Sequence, residues 1–225
     1  MDYRDALELQ SDLVVLRLES KIPDILLLLE HPHIYTTGRR FNPSHLLISD
    51  EEMRKSGVSL VLTDRGGDIT YHGPGQLVGY PIINIGGITK IKDYLYKLEE
   101  VLIRTIAALG IESDRLPGYP GVWFGFEKLA AIGIRVTRGI TKHGFSLNVS
   151  PDLSYFCGIV PCGIRDKGVT SLSKIIGKKV PMLLIQKLVI KSFADVFGFD
   201  PVPISKDMLL KIIKESPIQD SRAAG

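Results

Sequence analysis

The sequence predicts an α+β fold in which helices flank a mixed or mainly antiparallel sheet. The chain of 225 residues is 44% apolar and 24% charged, an ordinary balance for a globular protein with a sizeable core. Helical patterns occur in residues 2–19, 91–109 and 181–197, whereas residues 121–149 are rich in strand patterns. Because strands and helices do not alternate regularly, a purely parallel βαβ sheet is not expected.

The helices are predicted from apolar residues that recur every three or four positions. In the first two helices these residues are Ala6, Leu9, Leu13, Leu16, Leu95, Leu98, Leu102, Ile106 and Leu109. Gly110 favours an end to the second helix. Pro181 opens the third helix, PMLLIQKLVIKSFADVF, because proline fits a first helical turn.

The strands are predicted from short apolar runs bounded by turn-forming residues. They are residues 24–31, 59–65, 77–85, 121–136 and 140–149. The run DILLLLEH at residues 24–31 is predicted to be buried, and the fourth segment to be a hairpin that turns near Phe126 and Glu127. Glycine and proline interrupt residues 152–163 too often for a long element.

Residues 1–215 are predicted to form a single domain, with a small helical lobe at about residues 170–215 and a flexible tail at 216–225. The net charge of +3 is too small to favour a nucleic-acid-binding protein. The N-terminus is acidic from its second residue, so a signal peptide is not predicted. No apolar run approaches the roughly 20 residues of a membrane helix. We therefore expect a cytoplasmic protein with reduced cysteines.

Cys162 in VPCGI is a candidate nucleophile, because a proline fixes the approach to it and a glycine lets backbone N–H groups come close. A thiol attacks as the thiolate, which a nearby cation favours. The alternative is a small apolar cysteine in a tight turn, an interpretation stronger still for Cys157 with its aromatic neighbours. The sequence has no CxxC pair and no third ligand beside His31 and His33, so no metal site is predicted.

Lys128 stands at the mouth of the apolar strand LAAIGIRV, where it could be partly desolvated and place its charge against a thiolate. The alternative is a strand-end lysine whose ammonium extends to water.

The segment RGGDITYHGPGQ, residues 65–76, concentrates glycines around charged and aromatic residues. It has neither the GK[ST] of a phosphate-binding loop nor the spacing of the dinucleotide fingerprint. Glycine allows positive φ and lets the backbone approach a ligand closely. The sequence leaves two interpretations of this segment open, a ligand-binding loop and an elaborate strand turn. His72 within it could act as an acid, a base or an orienting group, or be a hydrogen-bonded core histidine.

The motifs RGGDITYHGPGQLVGYPI, GVWF, KLAAIGIRV, KHGFSLNV and GIVPCGI together resemble the octanoyltransferase family, also called lipoyl(octanoyl) transferases. LLLLEHPHIYTTGRR near the start is also similar to that family. The resemblance covers about residues 5–175 in ordered blocks. It implies a fold related to lipoate–protein and biotin protein ligases and to class II synthetases, with helices around a mixed sheet.

The resemblance also implies a reaction. An octanoyl group arrives as the phosphopantetheine thioester of acyl carrier protein, passes to an enzyme cysteine, and is then transferred to a lysine of a lipoyl domain. The implied acceptors are lipoyl domains of 2-oxoacid dehydrogenases and the glycine-cleavage H protein. No ATP, metal or other cofactor is expected, because the thioester is already activated. No nucleic-acid or membrane partner is expected either. The protein is expected to be a monomer.

Carried over by position, the resemblance implies that Cys162 forms the acyl thioester and that Lys128 favours its thiolate. Three segments are implied to bind the acyl chain. They are Arg65, Gly66, Gly67, Asp68, Ile69, Thr70, Tyr71 and His72; Ala131, Ile132 and Gly133; and Gly144, Phe145 and Ser146. Asp68 and the Phe145–Ser146 pair stand where the family is expected to vary, which leaves the chain-length preference open. Cys157 has no implied role.

Three other functions remain open from the sequence. An ATP-dependent lipoate– or biotin–protein ligase shares the fold but needs no cysteine nucleophile, so VPCGI and HGPGQ favour the transferase. An amidotransferase that moves octanoyl or lipoyl groups between lipoyl domains would use related cysteine chemistry, and only its donor would differ. A non-catalytic octanoyl carrier would bind the acyl group without turnover.

Overall fold

The computed structural model describes residues 1–164 and 167–216, without the side chains of Ile88 and Cys162. The helices are α1 (Tyr3–Leu18), α2 (Asp50–Lys55), α3 (Ile91–Ala107), α4 (Leu172–Ile176), α5 (Met182–Phe197) and α6 (Lys206–Glu215). The strands are β1 (Ile25–Leu29), β2 (Ile34–Thr37), β3 (Ser59–Leu62), β4 (Thr70–His72), β5 (Gln76–Ile82), β6 (Asp114–Leu116), β7 (Tyr119–Phe124), β8 (Glu127–Thr137), β9 (Ile140–Asn148) and β10 (Gly168–Val169). All of the predicted tail except Ser216 lies outside the described residues.

Two sheets form the framework, and together they confirm the predicted mixed α+β fold. The larger has seven strands in the order β1-β5-β9-β8-β7-β6, with β10 paired to β8. Its strands are antiparallel except for β10, which runs parallel to β8. The smaller sheet has the order β3-β2-β4, with β2 and β3 parallel.

Helices cover both faces of the larger sheet. The alternation of side chains in β1 shows this directly, because Leu26 and Leu28 pack into the cluster that contains α3 and α5, whereas Ile25 and Leu27 pack with α1. β1 was predicted to be buried, but its residues are only half-buried because the strand lies at the edge of the sheet. Within the described parts of the chain, no helix is long and apolar enough to cross a membrane.

The three predicted helices are confirmed, and α2, α4 and α6 were not predicted as separate helices. Gly110 adopts a φ of +76° just after α3, and Pro181 stands at the N-terminal cap of α5. The sequence interpretation gave only a small helical lobe at about residues 170–215, and within it α6 follows α5 and packs Leu209 against α1. α4 and α5 contribute to the same core cluster as α3, and the division into a domain and a helical lobe stays a prediction.

Candidate active site

Three segments that are far apart in the sequence line one narrow pocket, with a cavity volume of about 40 Å³. They come from the loop and strand around β4, from the middle of β8 and from β9. Their lining residues are Arg65, Gly66, Gly67, Thr70, His72, Ala131, Ile132, Gly133, Gly144, Phe145 and Ser146. All belong to the segments predicted to bind an acyl chain. The fold therefore brings the three predicted segments together at one place.

Glycine lets the loop approach the sheet at this pocket. In the β8–β9 register Gly133 is paired with Gly144, and a Cβ on Gly133 would lie only 3.1 Å from the carbonyl oxygen of Gly66. The backbone N–H of Gly66 donates to the carbonyl of Ile134 at 2.8 Å. Gly67 has a φ of +89°, a conformation that side chains disfavour. Main chain at these glycines therefore forms part of the pocket wall.

The remaining predicted acyl-loop residues do not line the pocket. Successive side chains of a strand point to opposite faces, so Thr70 and His72 face the pocket while Ile69 and Tyr71 are buried in a separate cluster under the small sheet. Asp68 turns its carboxylate to the imidazole of His45. Arg65, the two glycines and the alternate residues Thr70 and His72, rather than the whole loop, form this side of the pocket.

Three lining residues were not among the predicted acyl-binding positions. Tyr3 on α1 and Tyr80 on β5 lie in the pocket wall with His143. Sequence reasoning had left His143 undecided, and the two tyrosines carried no local motif. Nothing local in the sequence related Tyr3 to a loop some 60 residues away. Only the packing of α1 against β5 and β9 places Tyr3 here.

His143 in the pocket wall is hydrogen-bonded to the partly exposed carboxylate of Asp64. The Nε2 atom of His143 lies 2.6 Å from a carboxylate oxygen of Asp64. This hydrogen bond holds the pKa of Asp64 at about 2, below its ordinary 3.8. Burial lowers the pKa of His143. Its Nδ1 atom has no hydrogen-bond partner among the described residues.

His72 is the start of a hydrogen-bond chain that runs under the sheet. Its Nδ1 lies 2.8 Å from Oε1 of Gln76, the Gln76 amide donates to Asn148 at 2.8 Å, and the Asn148 amide donates to the carbonyl of Thr170 at 2.9 Å. Burial lowers the pKa of His72 from 6.5 to about 3. The imidazole is therefore neutral at physiological pH and is held in one orientation.

Lys128 is the second residue of β8, three positions before the pocket segment Ala131–Gly133. Only 7% of its surface is exposed, so the alternative of a lysine that extends to water does not describe it. Its Nζ lies 4.8 Å from the ring centroid of Trp123. Within residues 1–164 and 167–216 that ammonium makes no hydrogen bond or ion pair. A buried cation without a counter-charge is costly, and this one is available to an incoming anion.

The turn that carries Cys162 lies against the acyl-binding loop. It is a 3₁₀ turn, Pro161–Gly163, and a Cβ on Gly163 would lie 3.0 Å from the imidazole of His45 and 3.2 Å from the carboxylate of Asp68. Asp68, a residue of the predicted acyl-binding loop, thus lies next to the turn that carries the predicted nucleophile. The thiol of Cys162 lies outside what the structure describes, so its role stays a prediction.

Comparison with known proteins identifies the family of this chain. Residues 2–194 match the family model described as the lipoyl protein ligase A/B catalytic domain. The chain is 45% identical to an octanoyltransferase of Desulforamulus reducens, over 95% of this chain and 94% of that protein. It is 48% identical to an octanoyltransferase of Rubrobacter xylanophilus, over 88% of this chain and 90% of that protein.

The same fold occurs in a solved structure from an archaeal lipoylation system, a bipartite lipoate protein ligase and its E2 lipoyl domain from Thermoplasma acidophilum. The match has a TM-score of 0.70 and covers 92% of this chain and 86% of that chain. At 17% identity it shows the fold alone. The chain therefore belongs to the octanoyltransferase family, within the lipoyl protein ligases A/B, and is an acyltransferase of protein lipoylation.

Proposed function

We propose that this acyltransferase takes an octanoyl group from the phosphopantetheine thioester of acyl carrier protein and transfers it to a lysine of a lipoyl domain, through an acyl thioester on Cys162. One observation carries the proposal. A mostly apolar pocket, lined in part by glycines from all three segments, includes the middle of the strand that carries a buried lysine with no counter-charge among the described residues. Such a pair suits an apolar acyl chain and an anionic nucleophile.

The first step is an exchange of thioesters. The Cys162 thiolate attacks the carbonyl carbon of the donor, and the C–S bond to phosphopantetheine breaks. The departing thiolate carries the electron pair, so the negative charge moves from one sulfur to the other. The ammonium of Lys128 favours the thiolate at the start of this step, since an opposite charge nearby stabilises the ionised form.

The second step is an aminolysis. The amine of the acceptor lysine attacks the thioester, an amide bond forms, and the Cys162 sulfur leaves as the thiolate. The attacking amine must lose one proton, and we propose that Lys128 accepts it after having protonated the departing phosphopantetheine thiolate in the first step. The donor thioester is already activated, so the proposed reaction needs neither ATP nor a metal ion.

The proposed acceptors are the lipoyl domains of 2-oxoacid dehydrogenases and the glycine-cleavage H protein. The family supports this choice, and the archaeal structure of the same fold comes from a lipoylation system of a lipoate protein ligase and its E2 lipoyl domain. The proposal places the protein in the cytoplasm, where acyl carrier protein is made, and treats it as a monomer.

A donor assay tests the proposal. Purified protein is mixed with a lipoyl domain and with octanoyl-acyl carrier protein, with octanoate plus ATP, or with an octanoylated H protein, and the mass of the lipoyl domain is measured. We expect octanoylation from octanoyl-acyl carrier protein without ATP. Transfer only from octanoate and ATP would indicate a ligase, and transfer only from the H protein would indicate an amidotransferase. Binding of the acyl group without any transfer would indicate a carrier.

A further inference from the structure

Trp123 is the side chain against which the Lys128 ammonium lies. The Nζ atom is 4.8 Å from the centre of the ring, within the distance at which the negative face of an aromatic ring attracts a cation. Both residues are buried, with 2% and 7% of their surfaces exposed. Burial of both residues limits how far water can weaken this attraction.

An irregularity in the sheet creates this contact. Val122 on β7 pairs with Ala130 on β8, but the next residue, Trp123, pairs with Lys128. Leu129 is therefore an extra residue on β8, and the strands form a β-bulge there. Residues directly opposite each other in an antiparallel pair have adjacent side chains, and a bulge can redirect a side chain at a functional site. Here it sets Lys128 opposite the indole.

Neighbouring bonds fix both partners. The indole Nε1–H donates to the carbonyl of Tyr119 at 3.0 Å, and the Tyr119 ring meets the indole edge-on at a centroid distance of 6.1 Å. The carbonyl of Lys128 accepts a hydrogen bond from the N–H of Thr170 at 3.0 Å. The indole has no freedom to turn its face away from the lysine.

We propose that Trp123 is a positioning residue for the acyl transfer, holding the Lys128 ammonium through the face of its ring. A carboxylate could hold the ammonium equally well, but it would cancel the positive charge that a thiolate requires. An aromatic ring holds the cation and leaves its charge uncompensated. This inference rests on the role proposed for Lys128, and it assigns a function to a residue that otherwise is an ordinary core tryptophan.

The chain offers an unusually clean test, because Trp123 is its only tryptophan. Biosynthetic incorporation of tryptophan with one, two or three ring fluorines changes this ring alone. Fluorine withdraws electrons and weakens the negative face of the ring while nearly preserving its shape. The measurements are the pH profile of Cys162 alkylation by iodoacetamide, in a Cys157→Ala background with one thiol, and the single-turnover rate of octanoyl transfer.

We expect alkylation at neutral pH and transfer to fall progressively with each fluorine, by about tenfold across the series, with the alkylation profile moving to higher pH. The melting temperature should stay nearly constant. The alkylation and transfer rates of Trp123→Leu should fall further, toward those of Lys128→Met. The rates of Trp123→Phe should be higher than those of Trp123→Leu. In a Lys128→Met background, fluorination should have no effect.

Three results would overturn the inference, and they separate its failure from that of the proposed function. Unchanged rates across the fluorine series, with Lys128→Met still impaired, would reject Trp123 and leave the role of Lys128 intact. An equal loss in the presence and absence of Lys128 would show that the ring acts by packing. A Lys128→Met profile that overlays the wild type would reject both.

Discussion

His72 and Lys128 are buried to the same degree, each with 7% of its surface exposed, yet their surroundings are opposite. His72 is neutral and begins a chain of hydrogen bonds through Gln76 and Asn148. Lys128 faces an aromatic ring and, in the described parts of the chain, no carboxylate or hydrogen-bond acceptor. Burial alone therefore does not mark a reactive group.

From this difference between His72 and Lys128 we infer which buried group orders the fold and which takes part in the reaction. A buried polar group with its hydrogen bonds satisfied rigidifies the fold. A buried charge without a partner costs stability, and such sites cluster where chemistry occurs. We infer that the His72 chain shapes the pocket and that Lys128 supplies the charge.

The strongest test of this contrast is Lys128→Met. Octanoyl transfer should fall by about 10²–10³-fold, because the thiolate loses its cation and the acceptor amine loses a proton relay. The pH profile of Cys162 alkylation should move upward, measured with iodoacetamide in the Cys157→Ala background. Lys128→Arg keeps the charge but not a deprotonatable amine, so it should preserve alkylation and slow transfer.

Lys174→Met is the matched control for that experiment. Lys174 lies at the surface and is paired with Glu127 at 2.7 Å, so its removal should change both rates by less than about twofold. A Lys174→Met variant as impaired as Lys128→Met would mean that general surface charge, and not the buried ammonium, drives the reaction.

Gly67→Val tests the proposed role of the pocket in binding the acyl chain. A branched side chain at a φ of +89° strains the turn and fills the pocket wall. We expect octanoyl transfer to fall by about tenfold or more, with shorter acyl donors less affected. The measurement is kcat/KM for donors of different chain length.

Gly57→Val separates strain from obstruction. Gly57 has a φ of +67°, and a Cβ there would meet nothing within 4 Å. It lies just after α2 and does not line the pocket. Its variant should lose stability but keep the chain-length profile of the wild type. The same change of profile in both variants would exclude a specific pocket wall at Gly67.

The smallest expected effect concerns the stability of the His72 chain. The unfolded protein binds a proton at this histidine below pH 6.5, whereas burial lowers the folded pKa to about 3. The free energy of unfolding should therefore decrease as the pH falls from 6.5 towards 3, by at most about 1.4 kcal/mol per pH unit from this group.

His72→Gln should remove that contribution, so its urea-unfolding free energy should depend less steeply on pH in this range. Its Cys162 alkylation profile should nevertheless stay close to that of the wild type, because His72 carries no charge to lose. An upward shift as large as that of Lys128→Met would mean that the two buried groups do not divide their roles as inferred.

Much of the fold could be predicted from the sequence, since α1, α3 and α5 have long periodic apolar faces and the β7–β8 hairpin turns near the predicted Phe126. α6 was missed because it is a short element after two prolines and depends on packing Leu209 against α1. Propensity alone does not specify such a helix.

The candidate site, like the fold, could be predicted from the sequence only in part. The glycine segments could be found because unusual residue types cluster there, and the pocket contains residues of all three. Tyr3 and Trp123 could not be found, because one lies on a distant helix and the other depends on a bulge that no residue pattern announces. Alternation within β4 divided a loop predicted as one site between the pocket and a separate core.

The central claim is that Cys162 carries the octanoyl group as a thioester, and intact-mass analysis tests it directly. Protein mixed with octanoyl-acyl carrier protein and no acceptor should gain one octanoyl mass, which neutral hydroxylamine then removes. The adduct should persist in Cys157→Ala, although the thiol of Cys157 is exposed, and should be absent from Cys162→Ala. An adduct that is lost with Cys157 instead, or one that survives the loss of Cys162, would contradict the account.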